Sequence, residues 1–535
     1  MNSEAPTNKT LSTTKRISPL AIPLLGFVGA VQGADPNIAS TALFDASRSL
    51  DMTGGLLAVA ASVSTLALAA TVVSTGLLAD RMGRRRVLMA ALVLAAIGDL
   101  LVVIAPSSSV YLVGRILAGI GLGAVFGAAF AYIRAVTPPA KIPYAVGIFS
   151  AVGSVTLLIM TFLGGTLASI DWRLAFLLVP VASILGAFLV PILLPKQEPV
   201  ASGKQDVVGQ VLLALGVVAF LYGVSHLGSS LTGVLTLGPI IAGILLLAGF
   251  FVYESRVKAG FFPVSLFRNP VFLAAVAAGF VFNFANAVAF LQLANLWQYI
   301  NRLTTLQVSL WQLPILLTAI TTALIVGKRM SKGLTNRTAL LMGTVATAAG
   351  LTALSIGHSS TSFLGFIPGT VLVGAGITMA ALAFGNLILK EAPAKYLGPV
   401  TSSRTTIGQF FYAMGLALGT VLVDRLTTGG VIDRLNEAGV PPTRDGAALD
   451  AVTAFAQGKS NQTGKLAHES LVDAAQSYGE AFAVTTLATA VIVLIVGLIG
   501  VVLLHRHEGP QHPPSAPLPG DGDDDEQATP VAANR

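Results

Sequence analysis

The sequence predicts an all-α integral membrane protein of fourteen spanning helices, built as two pseudo-symmetric six-helix halves with two extra central helices. Three observations carry that prediction. Composition is the first: 54% of the 535 residues are hydrophobic and 11% are charged. Mean hydropathy is +0.78, far from the balance of a soluble globular chain. The chain holds about 289 apolar residues, enough for roughly fourteen spans of ~20 residues. Second, the cations collect in short loops between apolar runs. Third, a glycine-spaced segment recurs in the second half of the chain.

Taken in order, residues 1–18 are polar and lead straight into a full-length apolar run, so no cleavable leader is expected and the first span is its own insertion signal. Six spans fall near 19–43, 54–79, 87–105, 110–133, 143–168 and 173–194, the extent of the first bundle. Two additional spans near 207–225 and 232–253 occupy residues 207–253. The second bundle, 271–504, has spans near 271–298, 307–327, 338–357, 362–388, 398–423 and 480–504. Residues 426–478 are expected as an external loop, in which Leu466 to Tyr478 could form an amphipathic helix. The tail, 506–535, is rich in proline and acid and cannot bury a core, so it is expected to be disordered.

Loop charge sets the orientation. Counted from a cytoplasmic N-terminus, the inner loops carry seventeen Lys and Arg and the short outer loops three: Arg48, Arg173 and Arg302. Both termini are therefore expected in the cytoplasm, in a cell membrane, with the Ala-, Gly- and Val-rich composition pointing to a bacterial inner membrane. The net charge of +7 lies in those loops and is no nucleic-acid footprint. With no cysteine, disulfides and thiol chemistry are excluded, and the six histidines are scattered with no metal-binding or catalytic constellation. No enzyme activity, metal or cofactor is expected.

The repeat is read directly. Val113-Gly114-Arg115-Ile116-Leu117-Ala118-Gly119-Ile120-Gly121 matches Pro368-Gly369-Thr370-Val371-Leu372-Val373-Gly374-Ala375-Gly376 in glycine spacing, and Pro138-Pro139-Ala140-Lys141 is echoed by Ala392-Pro393-Ala394-Lys395. Such glycines let helices approach closely in lipid, and the matched prolines favour common descent of two halves. Where the first copy has Arg115, the second has Thr370. A buried arginine is expensive in a bilayer and needs a partner. At ~1.5 Å per residue, Asp35 lies about 25 Å and Asp99 about 20 Å from the inner ends of their spans, and Arg115 ~8 Å from the outer end of its own. The three share a depth. Arg115 is expected to pair with one acid, leaving the other free to titrate and to couple proton movement to substrate binding.

Between the second and third spans stands Gly76-Leu77-Leu78-Ala79-Asp80-Arg81-Met82-Gly83-Arg84-Arg85. This loop resembles, position for position, the signature between helices 2 and 3 of the major facilitator superfamily. The likeness covers nearly all of residues 19–505 and is nearest the fourteen-helix drug:proton antiporters. In that family the first-span acid lies in Leu-Asp-x-Thr; here it is Ala34-Asp35-Pro36-Asn37. The fourth-helix Arg-x-x-Gln-Gly reads Arg115-Ile116-Leu117-Ala118-Gly119, and the fifth-helix Gly-Pro-x-x-Gly-Gly survives as Met160-Thr161-Phe162-Leu163-Gly164-Gly165. Trp172-Arg173-Leu174-Ala175-Phe176 matches the start of the sixth helix. The resemblance implies that Asp80 anchors neighbouring helix ends through charge pairs and a helix N-terminus. Gly76 and Gly83 would permit the turn, and Arg84 and Arg85 would hold the loop at the inner surface, with Arg81 part of the same gating motif. Gly119, Gly121, Gly164 and Gly165 would serve helix packing.

The implied function is proton-driven efflux of lipophilic or cationic compounds by alternating access. The partners are then a small amphipathic molecule, protons and surrounding lipid, with no nucleic acid, and the chain is expected to act as a monomer. Asn283, Asn286, Gln292 and Gln409, set among aromatic residues, are the expected cavity lining, and an unpaired Asp35 favours cations. Two alternatives stand beside this reading: export of an endogenous lipid or secondary metabolite, and a membrane receptor or scaffold.

Overall fold

A computed structural model describes residues 18–52, 54–197, 206–227, 231–257, 260–393, 396–437 and 465–507. Its helices are α1 (Ala21–Ser49), α2 (Gly54–Met82), α3 (Arg84–Val103), α4 (Ser108–Val136), α5 (Ile142–Ala168), α6 (Trp172–Ala175), α7 (Leu178–Leu193), α8 (Val207–Ser225), α9 (Val234–Arg256), α10 (Pro270–Tyr299), α11 (Thr305–Trp311), α12 (Leu313–Ser331), α13 (Asn336–Ile356), α14 (Phe363–Glu391), α15 (Leu397–Glu437) and α16 (Lys465–His507). Among the described residues, thirteen helical spans are long and apolar enough to cross a bilayer. Helix α1, 29 residues long, falls short on apolarity because it carries Gln32, Asp35, Asn37 and Asp45. It is nevertheless packed between α4 and α5, with Leu25, Val28, Val31 and Ala34 fully buried. Gln32 and Asp35 are buried against protein, so lipid does not have to solvate them, and Asp45 is exposed in the last turns of the helix. The exposed surface is apolar (Phe188, Leu245, Val234), as a multi-pass membrane protein requires.

Helices α1–α7 form one half and α10–α16 the other. Two spans are interrupted. The chain bends between α6 and α7, and Pro314 opens α12 just after α11. Helices α8 and α9 pair with each other, and α8 also packs against α2 and α15, where Phe220 stacks on Phe410 at 4.5 Å. Glu254 of α9 accepts the Phe262 amide at 2.6 Å and so fastens this pair to the segment that leads into α10.

Gly83, at φ +91°, joins α2 to α3 in one residue, and Gly333, at φ +114°, follows α12 just before α13. These are the positive-φ glycines among the described residues, and they occupy equivalent places in the two halves. The halves are tightly joined at this end. A Cβ on Gly147 of α5 would lie 2.5 Å from the Ala323 carbonyl of α12, and the Tyr144 amide donates to Ser331 Oγ at 2.9 Å. Arg134 at the end of α4 donates to the Leu389 and Ala392 carbonyls at the end of α14, at 3.0 and 2.6 Å. At the opposite end, the core around Tyr111, Trp172 and Phe176 draws its residues from α1–α7 alone.

One expectation is corrected in extent. The external loop placed at 426–478 is helical at both ends, because α15 runs on to Glu437 and α16 starts at Lys465. The 41 residues of α15 make a rod about 60 Å long, roughly twice a ~30 Å hydrocarbon layer. The two extensions hold one another: Arg434 pairs with Glu480 at 2.7 Å and bonds Ser477, while Val431 and Ala474 are fully buried. Residues 438–464 and the acidic tail from 508 lie outside the described residues.

Candidate functional site

Three helices of the first half place their charges at one point. Asp35 of α1, Asp99 of α3 and Arg115 of α4 are buried, with at most 2% exposure. Close packing makes this possible. A Cβ on Gly98 would lie 2.3 Å from the Ala118 nitrogen, one on Gly121 2.5 Å from the Ala95 nitrogen, and one on Gly119 2.2 Å from the Ser64 carbonyl. Glycine at these places brings α2, α3 and α4 together along their backbones.

The Arg115 guanidinium forks onto Asp35, Nη1 to Oδ1 at 2.5 Å and Nη2 to Oδ2 at 2.9 Å. Nη1 also donates to Asp99 Oδ1 at 3.1 Å. Ser64 Oγ donates to Asp35 Oδ2 at 3.1 Å, and the Phe176 ring lies 5.2 Å from the Arg115 Cζ. Asp99 Oδ2 and the Tyr111 hydroxyl are buried without a hydrogen-bond partner. The expectation that Arg115 pairs with one acid and frees the other is therefore wrong. One planar fork reaches both, because α1 and α3 approach α4 from different sides. Nor is Asp35 unpaired, which removes the reason for favouring cations. Two carboxylates against one guanidinium leave the buried set one negative charge in excess unless it holds a proton.

The signature loop forms a second cluster. Asp80 is 1% exposed, takes Arg84 Nη2 on Oδ1 at 2.7 Å and accepts the Gly398 amide on Oδ2 at 2.5 Å. Gly398 lies in the first turn of α15, so a carboxylate of one half caps a helix N-terminus of the other. Contrary to expectation, Gly76 does not make the turn. It lies within α2 against α15, where a Cβ would meet Ser402 Oγ at 2.2 Å and the Gly398 carbonyl at 2.7 Å. The turn belongs to Gly83. Arg84 is buried and also donates to Gln197 at 3.2 Å, Arg85 donates to the Leu194 carbonyl at 3.3 Å, and Arg81 is half-buried.

The remaining expected residues are dispersed. Gly164 packs α5 on α1, with a Cβ 2.7 Å from Ile38, whereas nothing lies within 4 Å of one on Gly165. Gln292 is 1% exposed and joins α10, α15 and α16 through Thr420 (3.4 Å) and Tyr478 (3.3 Å), a packing role and not a lining one. Asn283 donates to the Gly279 carbonyl within its own helix at 2.8 Å, and Asn286 and Gln409 are half-buried.

A group singled out only in passing by sequence is more conspicuous. Arg404 of α15 lies under three rings, Phe130 at 4.5 Å, Phe384 at 5.3 Å and Phe126 at 5.5 Å. The signal available was a lone cation inside an apolar span.

Comparison with known proteins agrees with this architecture. The multidrug resistance protein B homolog of Mycobacterium tuberculosis (strain CDC 1551 / Oshkosh) is 28% identical over 375 residues, 68% of this chain and 67% of that one. The tetracenomycin C resistance and export protein of Streptomyces glaucescens is 27% identical over 397 residues, 72% of each chain. Among solved structures, the proton:xylose symporter XylE superposes with a TM-score of 0.55 at 13% identity, over 88% of this chain and 94% of its own, which shows a shared fold. The family model of the Major Facilitator Superfamily matches residues 25–416, and the chain belongs to that superfamily.

Proposed function

We propose that this transporter exports amphipathic small molecules in exchange for protons, as a monomeric member of the drug:proton antiporters, by alternating access at the seam between α1–α7 and α10–α16. The observation that carries the reading is the buried Asp35–Asp99–Arg115 set with its excess negative charge. Asp35 oxygens accept three hydrogen bonds, whereas Asp99 uses one oxygen and leaves the other unpartnered. Asp99 is the exchangeable proton site in this scheme, and Asp35 holds Arg115 in place. With the termini cytoplasmic, as the loop charges favour, the Asp80–Gly398 contact shuts the inner end, and the conformation is outward-facing.

The relatives named for multidrug resistance and for tetracenomycin C export support efflux. The second of these names favours one further reading, export of a secondary metabolite. The test uses everted vesicles with an acidified interior, supplied with lipophilic cations and amphipathic anions. Gradient-dependent uptake with proton release is expected of wild type and is expected to be lost in Asp99→Asn. If Asp99→Asn sustains both at wild-type rates, the set is structural and the coupling assignment fails.

A further inference from the structure

Among the described residues, three arginines within the first-half helices have polar partners. Arg115 has two carboxylates, Arg84 has Asp80, and Arg134 has two carbonyls. Among the described residues, Arg404 contacts neither a carboxylate nor any other acceptor. Its Nε is buried and unpartnered, and its recorded contacts are the three phenylalanine rings.

Its position is central. Arg404 is seven residues into α15, about 10 Å along the helix from the Asp80-capped turn. Phe126 and Phe130 are one turn apart on α4 of the first half, and Phe384 is on α14 of the second. A Cβ on Gly385 would lie 3.1 Å from the Phe130 ring, so the two halves meet here. The guanidinium thus lies in the seam that alternating access must open. Aromatic faces stabilise a cation but leave its N–H groups without acceptors. A guanidinium within a membrane span is retained against its desolvation cost when an anion or a water-filled path meets it.

We infer that Arg404, held at the seam by Phe126, Phe130 and Phe384, receives the anionic group of an amphipathic aromatic substrate, a carboxylate or phenolate, as the seam opens. The inference rests on the transport reading above and adds its substrate class. A planar fork suits a carboxylate bidentately. The Asp35–Asp99–Arg115 set, which carries the opposite excess charge, is left to the proton.

The experiment is isothermal titration calorimetry on the full chain in phosphatidylcholine nanodiscs without any gradient, using naphthoate, its neutral amide and naphthylmethylamine. Wild type is expected to bind naphthoate at least about tenfold more tightly than the amide, and the amine most weakly. In R404Q the naphthoate preference is lost, and in R404K much of it is retained. If R404Q does not yield folded protein, wild type alone decides the matter. Naphthoate affinity must then fall as pH drops through the ligand's own carboxyl range, while amide affinity stays flat. Equal binding of naphthoate and amide by wild type, a preference that survives in R404Q, or a pH-independent naphthoate affinity would each overturn the inference. Because no gradient is applied, failure of proton coupling in vesicles and failure of the anion site give separate results.

Discussion

Removing the Asp80 carboxylate should open the seam at the end that carries Gly83. Asp80 is 1% exposed, so solvent screens its interactions little, and its bond to the Gly398 amide crosses between the halves. A hydrogen bond to a charged group is worth about 1.5–3 kcal/mol net, and about 1.4 kcal/mol changes an equilibrium tenfold. Asp80→Ala should therefore raise the open population roughly 10- to 100-fold. Asp80→Asn keeps a neutral acceptor and loses about 1 kcal/mol, or roughly fivefold. The Arg84 pair lies within the first half and is lost whether the seam is open or closed, so it does not enter this difference. The chain has no cysteine, which makes a single reporter clean. Ser402→Cys places a thiol in the contact between α15 and the glycines Gly76 and Gly127. Its maleimide labelling rate tracks the open fraction when opening is fast. Unchanged labelling in both Asp80 variants, with the fold intact, would refute the assignment of this contact as a gate.

Further outcomes follow from the packing of the charged set. Gly119→Val should prevent recovery of monodisperse protein, because a Cβ there lies 2.2 Å from a backbone carbonyl that cannot yield; Gly165→Ala, with open space around it, should change stability by less than about 0.5 kcal/mol. Arg115→Gln leaves two buried carboxyl groups without their cation and should cost about 3–5 kcal/mol, seen as a large fall in thermal midpoint in detergent. Gln292→Leu removes the hydrogen bonds to Thr420 and Tyr478 and should cost about 1 kcal/mol in the same assay. The substrate profile in vesicles should not change in that variant, because the Gln292 side chain is buried and bonded between α15 and α16.

Much of this protein could be read along the chain. The apolar runs specify helices that cross a bilayer, because an unpaired backbone amide has no partner in hydrocarbon. A helix rises by a constant ~1.5 Å per residue, so the common depth of Asp35, Asp99 and Arg115 followed from counting. Gly83 was expected at a turn through the likeness of its loop to the family signature, and it has a φ of +91°. Azimuth and neighbours are another matter. Whether Arg115 meets one acid or both depends on the rotation of α1, α3 and α4 about their axes, which their glycine contacts set and no count reveals. Gly76 looked like part of a turn, and its closeness to Ser402 and Gly398, more than 300 residues away, makes it a contact between halves. Gln292 looked like cavity lining until Tyr478 of α16 was found against it. Arg404 was visible as a cation in an apolar span, but its three rings come from helices α4 and α14. Local sequence determined which segments span and at what depth each charge lies. Tertiary packing decided which charges meet, because contact in a helical bundle depends on how rods turn and touch, and that information is shared among distant segments.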